Sequence, residues 1–381
     1  MIGAGPAGAW ASCLLAQKGA RVLLFDPSHP REKPCGGGVT GRALSLVAGA
    51  LDGELPAVTI TAARFVDSST SGGASVRLSR NDTKDALVVS SRRAFDSLLV
   101  SAAERAGAQL IAARVSGIER DGPGWRLRTS NGGVHTAHML LGADGANSLV
   151  RRRVARPFSR AQLSIATGFF AHGATSDEIL IEFSASPPGY IWSFPRPDHL
   201  AIGICAQANA GVGTEALRAR AADWIRTTAV AGGAQLESYS WPIPSLTAAD
   251  LETLDVAGPG WLLAGDAAGL VDPITREGIF FALQSAVFAA DALAAGHSVE
   301  RSYASRVRAE IVGELARAAS FKARFFQPHF IELLMDALKE SERIRRVMAD
   351  LISGTQGYRG LKRRLAGTCE FRLAMRAIFG S

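Results

Sequence analysis

The sequence predicts an α/β protein: a Rossmann-like nucleotide-binding domain, interrupted by an inserted antiparallel β-sheet domain and followed by a C-terminal helical region. Three observations predict it. Gly3-Ala4-Gly5-Pro6-Ala7-Gly8 stands at the amino end and opens a helix, as a dinucleotide fingerprint does. Far downstream, Trp261-Leu262-Leu263-Ala264 reads as a short buried strand ended by a Gly265-Asp266 turn, and Gly278 opens a long alanine-rich helix whose first amides can face an anion. Between the two, from Ala161 to Ala206, the apolar spacing changes to the period of strands. The domain boundaries that follow are 1–50, 85–156 and 255–296 for the nucleotide-binding domain, 51–84 and 157–254 for the sheet domain, and 297–381 for the helices.

With 381 residues and 47% hydrophobic content the chain can bury a sizeable core, and its 40 glycines suit an α/β protein full of tight turns. Cys13, Cys35, Cys205 and Cys369 are scattered without a Cys-x-x-Cys pair, so neither a metal site nor a disulfide framework is expected, and a reducing cytoplasm is the simplest setting. The net charge of +7 would suit a nucleic acid, a membrane surface or an anionic substrate. Excess arginine in an Ala- and Gly-rich chain reads more simply as composition, and no nucleic-acid partner is expected. No apolar run reaches the roughly 18 residues of a spanning helix. The glycine spacing and the lack of a leading basic segment distinguish the first residues from a signal peptide.

Met1-Ile2 leaves almost no strand ahead of Gly3, so either translation starts upstream or a stub serves in the middle of the sheet. Pro6 fits a first helical turn, where no amide donor is needed, and the helix runs on to Gln17 with a stop at Gly19. Asp26 closes the next strand, placed either to accept from a ribose hydroxyl or to serve as a turn aspartate before Pro27. Beside Cys35, the run Gly36-Gly37-Gly38 lets backbone approach a ligand closely or acts as a flexible turn. The helix from Ser91 to Ala106 turns Phe95, Leu98, Leu99 and Ala102 inward and leaves Arg92 in a first turn whose dipole disfavours it, so a phosphate or carboxylate should hold it. Gly142-Ala143-Asp144-Gly145 is a further strand-turn-helix junction. Tyr190, Trp192 and Phe194 share one face of a strand, as core or as the lining for an apolar substrate. Gly211-Val212-Gly213 lacks a third glycine and is no second dinucleotide site. Helices near 277–295, 298–320, 329–339 and 341–352 precede a basic segment containing Lys362-Arg363-Arg364 and read as a solvated bundle, with a membrane-lying surface as the alternative.

The glycine-bearing turns at Gly3, Gly142 and Gly265, in this order, resemble those of p-hydroxybenzoate hydroxylase-like flavoproteins. Lys33-Pro34-Cys35-Gly36-Gly37-Gly38 and the Pro-x-x-Tyr-x-Trp-x-Phe-Pro pattern from Pro187 to Pro195 narrow the resemblance to the geranylgeranyl reductase family, whose members reduce isolated double bonds of prenyl chains. The similarity spans residues 1 to about 290. It implies one noncovalent FAD with its pyrophosphate over Gly3, Gly5, Pro6, Ala7 and Gly8, Asp26 on the adenosine ribose, and Arg92 at the ribose or pyrophosphate. Gly265 and Asp266 would hold the ribityl side, and Gly278 and Ile279 would set amides against the flavin pyrimidine edge. Asp144 and Gly145 would lie near both the nucleotide and an approaching nicotinamide. Cys35, Gly36 and Gly37 would lie close to the isoalloxazine, and Tyr190 and Trp192 would line the prenyl channel.

The resemblance makes NAD(P)H or a reduced carrier the electron donor and an isoprenoid or other apolar small molecule the substrate, with peripheral membrane contact as an accompanying expectation. Reducing an unactivated alkene also needs a proton, and Cys35 and Tyr190 are the protic side chains that the sequence places there, no histidine being expected near the motifs. A flavin monooxygenase or halogenase is the alternative, because Gly189-Tyr190-x-Trp192-x-Phe194-Pro195 resembles a halogenase signature as well. A non-catalytic prenyl-binding protein of the same fold is less favoured, given the intact Gly265-Asp266 turn. Three departures stand out: Asp26 where glutamate is common, the short first strand, and Arg276 where glycine is common.

Overall fold

A computed structural model describes residues 1–51, 55–67, 72–78, 86–368 and 370; part of the 51–84 segment, Cys369 and the last residues lie outside that description. The predicted α/β class is borne out. Four short strands run parallel in the order Gln109–Ile111, Leu23–Phe25, Leu140–Gly142 and Trp261–Leu263, and Ala257–Gly258 joins the last antiparallel. Ile2 fills the place between Phe25 and Gly142, bridging both in parallel. Its amide donates to Leu141 O at 3.0 Å and its carbonyl accepts from Ala143 N at 2.8 Å, so a stub two residues long does the hydrogen bonding of a central strand.

Helices cover this sheet on small residues. The Pro6–Gln17 helix presents Ala7, Ala11 and Gly8, and the Ile279–Ala295 helix presents Ala282, Ala286 and Ala289, all buried in one core with Leu24, Leu141 and Leu262. Alanine and glycine at the contact let helix axes approach closely, which larger side chains would prevent. Strands Val115–Asp121, Gly124–Thr129 and Val134–Ala137 form a separate antiparallel ribbon. Gly38–Thr40, Leu87–Ser90 and Ala57–Thr59 form a small sheet of their own.

A seven-stranded sheet makes the second layer, in the order Gln235–Pro244, Leu163–His172, His199–Gln207, Pro188–Pro195, Glu178–Ala185, Ala62–Asp67 and Gly72–Arg77. Its back face carries Ile191, Ile202, Ile204 and Leu180 and is covered by Leu217, Ala221, Trp224 and Ile225 of the Thr214–Thr228 helix. Its front face looks toward the nucleotide-binding layer. In register across it stand Trp241, Ala166, Cys205 and Tyr190, with Trp192 and Phe194 following Tyr190 at period two.

The C-terminal helices wrap the far end of this sheet. The helix expected near 298–320 is Val299–Arg306 continued through a π-helical turn, Val307–Val312, into Gly313–Phe325. Pro328–Glu340 and Glu342–Ser353 follow, with Met335 and Leu338 packed on Phe65, Val76 and Ile179. Among the described residues no helix is long and apolar enough to cross a membrane. Tyr303, fully buried, ties the helices to the parallel sheet by donating to Leu263 O at 2.5 Å. Tyr303→Phe, which strands that carbonyl at the strand end, should lower stability by about 1–3 kcal/mol in denaturant titration while leaving the slope unchanged.

Candidate functional site

The amino-terminal turn is built by close approach. A Cβ at Gly8 would lie 1.8 Å from Gly3 O, and one at Gly3 would lie 2.4 Å from Ala143 O, so neither position accepts a side chain. Gly5 differs. Its φ of −69° suits any residue, and an added Cβ would meet nothing nearer than the ends of Arg92 and His29, each at 3.9 Å. Pro6 begins the helix and its first amides face that open space, an arrangement suited to a pyrophosphate. The residues therefore fit the cofactor that the sequence implies.

Asp26 sits behind this turn. Its Oδ2 accepts from Ala4 N at 2.9 Å and meets His29 Nδ1 at 2.8 Å, while Oδ1 accepts from Ser28 N and His29 N, each at 2.9 Å. The other ring nitrogen of His29 lies 3.2 Å from Asp96 Oδ2. Asp96 in turn takes two bonds from Arg92, at 2.9 Å from Nε and 2.7 Å from Nη2. The carboxylate expected to hold Arg92 is thus Asp96, one helical turn away. Burial alone would raise both carboxyls, yet His29 and the Ala4 and Ser28 amides hold Asp26 below its usual range, and Arg92 with His29 does the same for Asp96. Burial would also lower His29, but its hydrogen bonds to Asp26 and Asp96 and their charges raise it. A histidine beside the cofactor turn contradicts the expectation that none lies near the motifs. The signal was available three residues beyond Asp26, masked by the turn chemistry of Asp26-Pro27-Ser28.

The glycine-rich loop is pinned by residues that sequence reasoning did not single out. Arg196, wholly buried, donates from Nη2 to Cys35 O at 2.7 Å and from Nη1 to Glu32 Oε1 at 2.6 Å, with His199 Nε2 at 3.0 Å from the same Nη1. Glu32 also accepts from the amides of Arg92 and Arg93 at 3.1 and 3.2 Å, which caps that helix with a charge its dipole favours. Cys35 is half-buried, and its sulfur accepts from Gly37 N at 3.4 Å. Phe194 presses on Gly36, where a Cβ would come within 2.5 Å of its ring.

On the other side, Gly265 is wedged between Ala7 and Ala282, and Asp266 meets Lys33 Nζ at 3.0 Å. A Cβ at Gly278 would lie 3.2 Å from Asp266 Oδ1, so the two turns of the second motif face each other, and Ile279 begins the helix behind them. Asp144 is occupied elsewhere: it accepts from Ser148 Oγ at 2.5 Å, Leu149 N at 2.6 Å and Val150 N at 3.2 Å, capping the Leu149–Val154 helix, and burial raises it. Gly145 follows in the left-handed region at φ +80°. Tyr190 donates to Thr275 O at 2.7 Å and packs 5.6 Å from Trp192, ring centre to ring centre. Burial and the neighbouring Cys205 push the Tyr190 hydroxyl well up. Tyr190 is thus grouped with Cys205 and the 272–278 loop, and Cys35 with Arg92 and Arg196 across the site.

Two outcomes follow from this geometry. Gly8→Ala overpacks the turn and should lower the melting temperature, by an equivalent of about 1–3 kcal/mol, whereas Gly5→Ala should melt like the parent but hold less flavin, read as the absorbance ratio of purified protein. Because His29 has its pKa raised on folding, the stability it contributes is complete below its ordinary value near ~6.5 and is lost as the pH rises through the raised value. The melting temperature should fall across that window, and His29→Gln should abolish this part of the pH dependence.

The FAD binding domain family matches residues 1–303. A digeranylgeranylglycerophospholipid reductase of Methanothrix thermoacetophila is 30% identical over 355 residues, covering 86% of this chain and 87% of the relative. A menaquinone reductase of Mycolicibacterium smegmatis is 29% identical over 335 residues, covering 80% and 78%. Among solved structures, a geranylgeranyl bacteriochlorophyll reductase-like protein from Thermoplasma acidophilum superposes with a TM-score of 0.79 at 20% identity over 96% of this chain and 98% of that one. The flavin-dependent brominase Bmp2 superposes at 0.71 and 19% over 97% and 98%, so the halogenase fold is shared too. The fingerprint turn, the Gly265-Asp266 turn and these matches agree: the chain is an FAD-dependent oxidoreductase and belongs to the geranylgeranyl reductase type within the FAD binding domain family.

Proposed function

We propose that the protein reduces carbon–carbon double bonds of an isoprenoid substrate, with electrons from NAD(P)H or a reduced carrier, in a cytoplasmic setting with peripheral contact to the membrane that holds such lipids. The observation that carries this reading is the aromatic cluster joining the sheet to the C-terminal helices. Tyr190 and Phe183 of the sheet pack with Ile274 of the cofactor loop and with Phe325 and Phe326 of the helices, and Trp192 adjoins Tyr190. Aromatic side chains of this kind suit contact with a flexible hydrocarbon and exclude water from a reduction.

Saturating one double bond takes two electrons and two protons, of which flavin, when bound, would supply the electron pair and one proton as a hydride. The chain's task is to supply the remaining proton and to hold the alkene. Cys35, on the loop pinned by Arg196, and Tyr190, fixed by Thr275 O, are the proposed donors, and Cys205 in the row beside Tyr190 is a third protic group. Gly3, Gly5, Pro6, Ala7, Gly8, Arg92, Gly265, Asp266, Gly278 and Ile279 are proposed to hold the cofactor. Asp26 would act through Ala4 and His29 as much as on a ribose, since its oxygens already carry those bonds.

The test is anaerobic turnover with prenyl substrates, followed by reoxidation of the flavin. Cys35→Ser should retain FAD and its reduction by the donor yet slow reoxidation by the alkene by about a hundredfold, the lower range for losing a positioned acid. Wild-type turnover in that variant would make Cys35 structural and move the test to Tyr190→Phe. Reoxidation only in air, with an oxygenated or halogenated product, would replace the reductase reading with the oxygen-dependent one.

A further inference from the structure

Where the front face of the seven-stranded sheet runs out, polar residues replace the aromatic row. Ser164 and Gln207 stand side by side one step beyond Ala166 and Cys205, and Ser245 follows the end of the neighbouring strand. Two cations converge on them. Arg276 Nη1 donates to Ser245 Oγ at 2.5 Å, and Lys322 Nζ donates to the same oxygen at 2.8 Å and to Gln207 Oε1 at 2.8 Å. Ser245 Oγ also donates to Gln207 Oε1 at 3.0 Å, so the hydroxyl serves both cations and the amide oxygen serves Lys322 alone. A guanidinium and an ammonium carry eight donors between them, far more than these acceptors satisfy.

Among the described residues no carboxylate forms an ion pair with either cation. Asp272, in the same loop, has Oδ1 engaged by the amides of Ile274 and Thr275 at 2.7 and 2.9 Å and by the Tyr358 hydroxyl at 3.3 Å. Arg276 Nε is buried with no hydrogen-bond partner. Burial, with Arg276 as the next cause, lowers Lys322 to about 7, against the opposing pull of Cys205 and Asp272. Two like charges brought together at a half-buried site on neutral acceptors, with Asp272 acting on both but forming an ion pair with neither, are costly, and such groups persist where an anion completes them. Arg276 is moreover one of three non-glycine residues with positive φ among the described residues, at 63°, a backbone cost that a glycine would avoid.

The surroundings define the other end of the ligand. Lys322 belongs to the helix that contributes Phe321 and Phe325, and Arg276 follows Thr275, whose carbonyl holds Tyr190. A cationic cluster therefore abuts the aromatic one.

We propose that Arg276, Lys322, Ser245 and Gln207 bind the anionic head group, a phosphate, diphosphate or carboxylate, of an amphipathic substrate whose hydrocarbon tail lies against Tyr190, Phe325 and Ile274. Only the identity of the tail rests on the isoprenoid reading above.

The experiment uses FAD-loaded protein. Inorganic pyrophosphate should raise the melting temperature saturably, chloride at matched ionic strength should not, and acetate in a parallel titration distinguishes a carboxylate site from a phosphate site. Lys322→Met and Arg276→Met should each raise the half-saturating pyrophosphate concentration by about tenfold or more, the loss of one charged hydrogen-bond partner, while Lys322→Arg stays within about threefold. An absence of saturable stabilisation by either anion, saturation by chloride, or unchanged half-saturation in both methionine variants would overturn the proposal. In turnover, Lys322→Met should raise KM for a prenyl diphosphate by about tenfold and leave that for the matching prenyl alcohol unchanged. Equal losses on both substrates overturn the head-group site and keep the reductase. Inert prenyl compounds with pyrophosphate still bound through Lys322 keep the site and dismiss the isoprenoid.

Discussion

Close contact between backbones at the amino-terminal turn is the constraint on which the remainder of the site depends. The Pro6–Gln17 helix can reach the parallel sheet only because Gly8 lies directly on Gly3 O and Gly3 on Ala143 O. That approach delivers Ala4 N to Asp26 and sets Ala7 against Gly265, which in turn rests on Ala282. Helix, turn and second helix thereby lock together through atoms no larger than a methyl group. Larger side chains at any of these points would separate the two glycine motifs and spread the cofactor's contacts apart.

Charge is handled differently in the two halves of the site. Behind the fingerprint turn, Asp26, His29, Asp96 and Arg92 alternate in sign, so that charge closes within the row. Beyond the sheet, Arg276 and Lys322 share neutral acceptors and lack such closure. The contrast separates electrostatics that serve the fold from electrostatics that await a partner, although both involve buried groups and both shift the ionisation of their members.

How much of this the sequence revealed follows from the range of the interactions. The two glycine turns, the strand carrying Tyr190, Trp192 and Phe194, and the helix at Gly278 are local patterns, and their positions along the chain were legible from spacing alone. Ile2 was legible only as a deficit, because its pairing to Phe25 and Gly142 needs two strands far apart in sequence. Arg92 was recognised as needing a counter-charge, and Asp96 at the i+4 position was the partner in plain view. Arg196, Glu32 and Lys322 were not recognisable, since they act across separations of 77 to 164 residues and sit in stretches with no motif. Asp144 was legible as the residue of a glycine-bearing turn, while the bonds of its oxygens to the first amides of the next helix were not read from the sequence.

The buried guanidinium of Arg196 has a consequence in conformational entropy. Three consecutive glycines give Cys35 and its loop more unfolded freedom than any other stretch of that length, and a loop left free would have to be ordered each time a cofactor or substrate arrived. Arg196 fixes the loop at Cys35 O and fixes the adjoining Glu32 on a helix terminus through contacts within the fold itself. The ordering is therefore charged to folding, so loosening this clamp weakens binding through preorganisation, although Arg196 need not touch what is bound.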